Sequence, residues 1–277
     1  MKIIVAKNIG FCTGVKRAID IAREALEKDP SPVQFLGGLI HNEEIIKEVR
    51  SKGGKLISDP KKAKSGTLII RAHGTPPLPP LKGVLIKDAT CPLVKRAQEA
   101  ANNLSKEGYQ VIIIGEKEHA EIKGIRGCVK NGVVVIEDEL AAKKLKKLKK
   151  IGIIAQTTQN LEKVNRILEI LKGRAAEIKF INTLCPQVLS RQKEISELLK
   201  KVDGVLVVGS AQSANTSQLV KIVREAGKPV WLANSAEKIE KNNFKGINVL
   251  GVISGTSAPD WIIEKIRKRL MWLLSHD

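Results

Sequence analysis

The sequence predicts an α/β protein assembled from several small modules with mostly parallel strands. Short runs rich in Val and Ile alternate with amphipathic helical patterns over the whole length, as they do when strands and helices take turns in layers. The junctions are short and carry Gly, Pro, Ser or Thr, as βα loops do. A third observation is a recurring pattern in which a strand is followed by a Cys, a Val three residues later and a basic helix.

Taken in order, KIIVA at 2–6 reads as a strand and the segment after GFCT as a helix over 14–28. Strands at 33–37 and 67–71 flank a helical pattern at 42–52, and a strand at 83–87 leads through Cys91 to a helix at 93–107. The middle of the chain continues with strands at 110–114, 132–136, 151–155 and 178–182, and helices at 121–128, 138–147 and 160–171. The run KKLKKLKK at 143–150 reads as a solvated helix with Leu145 and Leu148 facing inward. The last third holds helices at 187–200, 214–226, 236–241 and 259–274 between strands at 204–208, 229–233 and 248–253.

The 277 residues suit about two or three small domains sharing a core. Aromatic residues make up only 3% of the chain, so the core must be aliphatic. Lys, Glu or Gly interrupts every apolar run well short of a membrane span. The start MKIIVAKNIGFC reads as a buried strand instead of a signal peptide, which predicts a cytoplasmic protein. A formal charge of +19 raises the question of nucleic acid. The Lys residues, however, spread over helical faces, and one Tyr with four Phe is a poor basis for a base-stacking platform. A heat-adapted surface, or a basic field that gathers a small anion, accounts for the charge better.

IGFCTGVKRAIDIA, DATCPLVKRAQEAA and NTLCPQVLSRQKEI make up the threefold repeat, with Cys12, Cys91 and Cys185 in equivalent places. The expected domains are 13–91, 92–182 and 183–257, with 1–12 and 258–277 as terminal segments packed against them. A cytosolic chain seldom keeps structural disulfides, and three equivalent cysteines cannot all pair. Each lies where a helix begins, a setting whose free N–H groups suit a thiolate ligand. The close CxxC spacing of zinc ribbons is absent here, whereas iron-sulfur clusters accept cysteines from distant segments. Three ligands would leave one iron open to a substrate oxygen. Cys128, in RGCVKNG, lacks this context and reads as a structural or incidental thiol.

Other polar residues fall on the same kind of loop: His41 in GGLIHNEE, His73 in IIRAHGTPP, and His119 with Glu121 in GEKEHAEIKG. On an extended loop, residues two apart point the same way, so His119 and Glu121 are expected to face one cavity. Histidines donate to phosphate oxygens, and a buried Glu can carry protons. Thr157, Ser213, Asn215 and Ser257 follow later strands near helix starts, where hydroxyls and amides either cap the helix or help to form an anion site. Neither a Walker P-loop nor a GxGxxG fingerprint occurs.

With GFCTGVKRA, LIHNEE, RAHGTPP, DATCPLVKR, HAEIKG, AQTTQ, the Cys185 segment, GSAQSANTSQL and SGTSAPDW in order, the chain resembles the 4-hydroxy-3-methylbut-2-enyl diphosphate reductase family of isoprenoid biosynthesis. The resemblance covers nearly the whole chain. It implies a pseudo-threefold trefoil of α/β domains around a [4Fe-4S] cluster held by Cys12, Cys91 and Cys185, whose loss of the open iron would leave a three-iron form. It also implies that His41, His73, His119, Ser213, Asn215 and Ser257 hold a diphosphate, that Thr157 contacts the substrate hydroxyl, and that Glu121 delivers a proton. A ferredoxin or flavodoxin is the implied electron donor, with monomer and homodimer both open. Two residues depart from the family pattern: Ala120 stands where Pro is frequent, and Ala214 where a second Ser is frequent. A modest effect on substrate affinity is expected from them. The competing class is a non-catalytic metal-binding or basic RNA-associated protein.

Overall fold

The computed structural model describes residues 1–275, so the last two residues of the expected segment 258–277 lie outside the described residues. The protein is α/β, with three four-stranded sheets in which every pairing is parallel. The chain divides into two compact units, Met1–Val15 with Pro186–Asp277, and Lys16–Cys185.

The first unit holds β1 (Lys2–Val5), β10 (Gly204–Val208), β11 (Val230–Ala233) and β12 (Val249–Ser254) in the order β1-β12-β10-β11. Alternate residues of β10 serve opposite faces. Val205 and Val207 pack with Ile195 and Leu198 of α7 (Pro186–Leu199) and with Leu219 of α8 (Ala214–Glu225). Leu206 and Val208 pack with Ile263, Ile266 and Leu270 of α9 (Asp260–Ser275). A parallel sheet covered on both faces needs such continuous apolar strands.

The second unit contains two sheets. One has the order β3-β2-β4-β5, from β2 (Val33–Leu36), β3 (Lys55–Ile57), β4 (Gly66–Ile70) and β5 (Val84–Asp88), accompanied by α1 (Thr13–Lys28) and α2 (Glu43–Ser51). The other has the order β7-β6-β8-β9, from β6 (Gln110–Ile114), β7 (Val133–Ile136), β8 (Leu148–Ala155) and β9 (Ala175–Phe180). Ala97, Ala101 and Leu104 of α3 (Pro92–Lys106) join Ile122 and Ile125 of α4 (Ala120–Gly127) over Val111, Ile113 and Ile154. Burying each of these Ile side chains contributes about 1.5–3 kcal/mol, which fixes the start of α4 relative to the sheet. The helices α5 (Glu139–Lys144) and α6 (Leu161–Lys172) complete this module.

Three local readings change. The helix α5 stops at Lys144, and KKLKKLKK enters β8 at Leu148, whose N–H donates to the Arg174 carbonyl at 2.8 Å. A Leu spaced three residues from another suits a helix, but the second one starts a ladder with Ala175. The short edge strand β3 escapes the pattern because three residues carry no period. The 236–241 helix is a pair of 3₁₀ turns, Ala236–Lys238 and Lys241–Phe244. Among the described residues no helix is long and apolar enough to cross a membrane.

Candidate active site

The three repeated cysteines sit on one recurring scaffold. In each sheet an edge strand, β1, β5 or β9, runs beside a central strand, β12, β4 or β8, and leads to the Cys and a helix. The Cys12 N–H donates to the Thr256 carbonyl at 3.1 Å, the Cys91 N–H to Ala72 at 2.9 Å, and the Cys185 N–H to Thr157 at 2.9 Å. Each acceptor lies two residues beyond the end of its central strand. The three cysteines form no disulfide and are half-buried. Cys91 occupies the N-cap of α3 without capping it through its side chain, and Cys12 Sγ accepts from the Val15 N–H at 3.4 Å. Cys128 differs: it closes the C-terminus of α4, its Sγ donates to the Gly124 carbonyl, and burial pushes its thiol up.

The Cys12 loop is further held by Arg191. This side chain, only 4% exposed, donates to the carbonyls of Gly10 at 2.6 Å and Ser254 at 2.9 Å.

Within Lys16–Cys185 the structure gathers His41, His73 and His119. His41 follows β2, His73 follows β4, and His119 is the N-cap of α4. The ring centroids of His41 lie 4.4 Å from His73 and 6.1 Å from His119, and those of His73 and His119 are 5.6 Å apart. Burial lowers the pKa of all three, that of His119 to about 4, with the Arg71 cation adding to each shift. The rings are therefore neutral near pH 7. His119 Nδ1 accepts from the Glu121 N–H at 3.2 Å, which assigns its remaining proton to Nε2. The buried Nδ1 of His73 has no partner among the described residues.

One nitrogen from each ring falls within 4.8 Å of the others, a spacing that could also suit a metal ion. The Arg71 cation beside them opposes a second cation and favours an anion. Arg71 was hidden in the sequence among 48 Lys and Arg; its place beside a His at a strand end was the available signal.

Glu121 is 1% exposed and meets Thr157 twice. Its Oε1 accepts from the Thr157 N–H at 2.7 Å and its Oε2 from the Thr157 hydroxyl at 2.8 Å. Burial nevertheless pushes the carboxyl up to about 7, where one group can both hold and release a proton near neutrality. His119 and Glu121 are not on an extended loop as expected. They are the cap and a first-turn residue of α4, so the helix start relates them. With the His119 cap closing that turn, Ala120 begins the helix without the fixed φ of a proline. Gln156, absent from the sequence-based set, is fully buried and ties two strand ends together: its Oε1 accepts from the Glu116 N–H at 2.9 Å, and its Nε2 donates to the Thr158 hydroxyl at 2.9 Å.

In the other unit Ser213 is the N-cap of α8, and its Oγ accepts from the Thr216 N–H at 3.4 Å. Asn215 is 2% exposed, and neither amide atom finds a partner among the described residues. Leaving buried polar atoms unpaired costs about 1–3 kcal/mol each, which a polar ligand would offset. Ser257, also buried, follows β12.

The LytB protein family matches residues 3–271, nearly the whole chain and every residue set described above. The chain belongs to the LytB family. The LytB chain is 35% identical, over 285 residues covering 100% of it and 99% of the relative, to the 4-hydroxy-3-methylbut-2-enyl diphosphate reductase of Caldanaerobacter subterraneus subsp. tengcongensis. A solved structure of the E-1-hydroxy-2-methyl-but-2-enyl-4-diphosphate reductase from Plasmodium falciparum superposes with a TM-score of 0.91 at 28% identity, covering 98% of this chain and 88% of that one. A second, of (E)-4-hydroxy-3-methyl-but-2-enyl diphosphate reductase, described as the terminal enzyme of the non-mevalonate pathway, gives a TM-score of 0.67 at 35% identity, covering 98% and 99%. This LytB protein is accordingly an oxidoreductase, as the sequence motifs imply.

Proposed function

We propose that this protein reduces (E)-4-hydroxy-3-methylbut-2-enyl diphosphate to isopentenyl and dimethylallyl diphosphate. The observation that carries the reading is the Glu121–Thr157 pair, a buried carboxyl with a pKa of about 7 hydrogen-bonded to a hydroxyl at the start of a helix capped by a histidine. Reductive removal of an allylic hydroxyl as water needs such a proton source.

The reaction takes up two electrons and two protons. The C–O bond breaks, one proton leaves with the oxygen as water, and the other adds to either of two carbons of the allylic unit. The three cysteines, in equivalent positions and outside any disulfide, suit an iron-sulfur group. A [4Fe-4S] cluster held by Cys12, Cys91 and Cys185, with one iron free of protein ligands, would supply the electrons and a Lewis-acid position for the hydroxyl. Thr157 orients the hydroxyl, and Glu121 holds the proton that departs with it. By family resemblance His41, His73 and His119 bind the diphosphate, as do Ser213, Asn215 and Ser257; the buried His73 Nδ1 and Asn215 amide, without partners among the described residues, support this. The trefoil, a cytoplasmic location and a ferredoxin or flavodoxin donor belong to the same reading.

The test is anaerobic turnover of this substrate with a chemical reductant, together with iron analysis. Two alkene diphosphate products and about four irons per chain are expected. Colourless protein carrying stoichiometric zinc after anaerobic reconstitution, with no turnover, would rule it out.

A further inference from the structure

We propose that Arg71 is the fixed positive charge of the anion pocket formed with His41, His73 and His119, and that it sets affinity for the diphosphate group without entering the proton or electron steps. The proposal rests on the reading that these histidines face a diphosphate.

The backbone places Arg71 firmly. It is the first residue beyond β4, two before His73, and its carbonyl accepts from the Gly74 N–H at 3.0 Å. Its neighbours are tied on both sides: the Ala89 N–H donates to Ile70 at 3.0 Å and the Ala72 N–H to Leu39 at 3.1 Å. The side chain then folds back, with Nε donating to the Gly74 carbonyl at 3.4 Å. Gly37 makes the room: a Cβ built there would lie 3.1 Å from Arg71 Nη1, and the φ of +74° at that residue already excludes most side chains. The guanidinium thus lies between the loop that carries His41 and the turn that carries His73.

Charge accounting leads to the same residue. Three neutral imidazoles offer N–H donors but no net charge, whereas a diphosphate carries at least two negative charges near neutral pH. Arg71 makes no ion pair among the described residues, unlike Arg23, Arg166 and Arg267, which meet Glu48, Glu139 and Glu264. Burial disfavours its charged form, and no carboxylate among the described residues offsets that. A partly desolvated cation without a counter-ion is costly until an anion arrives. The two Nη groups have four N–H donors in a planar fork suited to phosphate oxygens.

The test uses the anaerobic holoenzyme and inorganic pyrophosphate. Calorimetric titration of wild type, Arg71→Gln and Arg71→Lys is combined with steady-state kinetics on the allylic diphosphate. Arg71→Gln should weaken pyrophosphate binding by about 10- to 100-fold and raise KM comparably, while kcat changes far less, as expected for loss of one charge-assisted contact. Arg71→Lys should recover most of the affinity, and the wild-type affinity should fall with added salt more steeply than that of the glutamine variant. Arg71→Met, which keeps the apolar stem, replaces the glutamine variant should that one not fold.

Equal pyrophosphate affinity in wild type and the neutral variants would overturn the proposal, as would a fall in kcat with KM unchanged. An equal loss in Arg71→Lys would also overturn it, because a retained charge would then have no effect. Wild-type protein that binds pyrophosphate through Arg71 but turns over no substrate would instead sink the functional reading and leave this one standing.

Discussion

Thr157 holds Glu121 by two hydrogen bonds, one from its N–H to Oε1 at 2.7 Å and one from its hydroxyl to Oε2 at 2.8 Å. Both bonds favour the carboxylate, yet desolvation outweighs them and leaves the group near 7. This balance makes the pair a sensitive place to test the chemistry.

Replacing Glu121 by Gln should leave iron content unchanged and lower kcat by about 100-fold or more, since an amide cannot donate the proton. In the wild type kcat should be level below about pH 7 and decline above it as the carboxyl ionises. The same shift has a stability sign. The folded pKa lies above the ordinary 4.5, so this group's contribution is complete below that value and is lost as pH rises through about 7. Melting temperatures across this range, in wild type and Glu121→Gln, check the slope; a slope unchanged in the variant contradicts the assignment.

Thr157→Val keeps the backbone donor and removes the hydroxyl. Because that hydroxyl favours the carboxylate, its loss should move the alkaline limb of the kcat profile upward while lowering the rate. A limb that moves downward would show that the hydroxyl does not act on the carboxyl in this way.

Cys91→Ser should weaken iron retention, an alkoxide being a poorer partner for iron-sulfide than a thiolate. Cys128→Ser should retain the wild-type iron content, because that thiol sits at a helix C-terminus bonded to Gly124. Visible absorbance and iron analysis of anaerobically purified variants separate the two outcomes.

Asn215→Ala should leave the melting temperature of ligand-free protein equal or higher, since it deletes two buried unpaired polar atoms. It should also weaken pyrophosphate binding by about tenfold. A large loss of stability without loss of binding would make Asn215 a structural residue.

Arg191→Met should cost about 2–6 kcal/mol through the two stranded carbonyls of Gly10 and Ser254, and the loosened Gly10 turn should lower iron retention at Cys12. Thermal melts and iron titration measure both.

Much of this was legible beforehand because the repeated pattern is local. A Cys after a strand and before a helix can be read three times over, and the runs of Val and Ile that form β6, β8, β10 and β12 are unmistakable. The edge strand β3 and the entry to β8 were not, since three residues, or a Leu spaced to suit either structure, leave the choice to tertiary pairing. The extended loop expected around His119 and Glu121 is instead a capped helix start, with Ile122 and Ile125 of the same turns buried in the core. Arg71 carried only the weak signal of standing two residues before a His at a strand end; its lack of an ion pair among the described residues is a property of space and not of spacing.

The peptide groups on either side of Thr157 face two ways. The N–H of this residue grips the Glu121 carboxylate, while its carbonyl receives the Cys185 N–H. The carboxyl that carries the proton and the backbone that seats the Cys185 sulfur thus share one residue, and a substitution at Thr157 touches both supports at once.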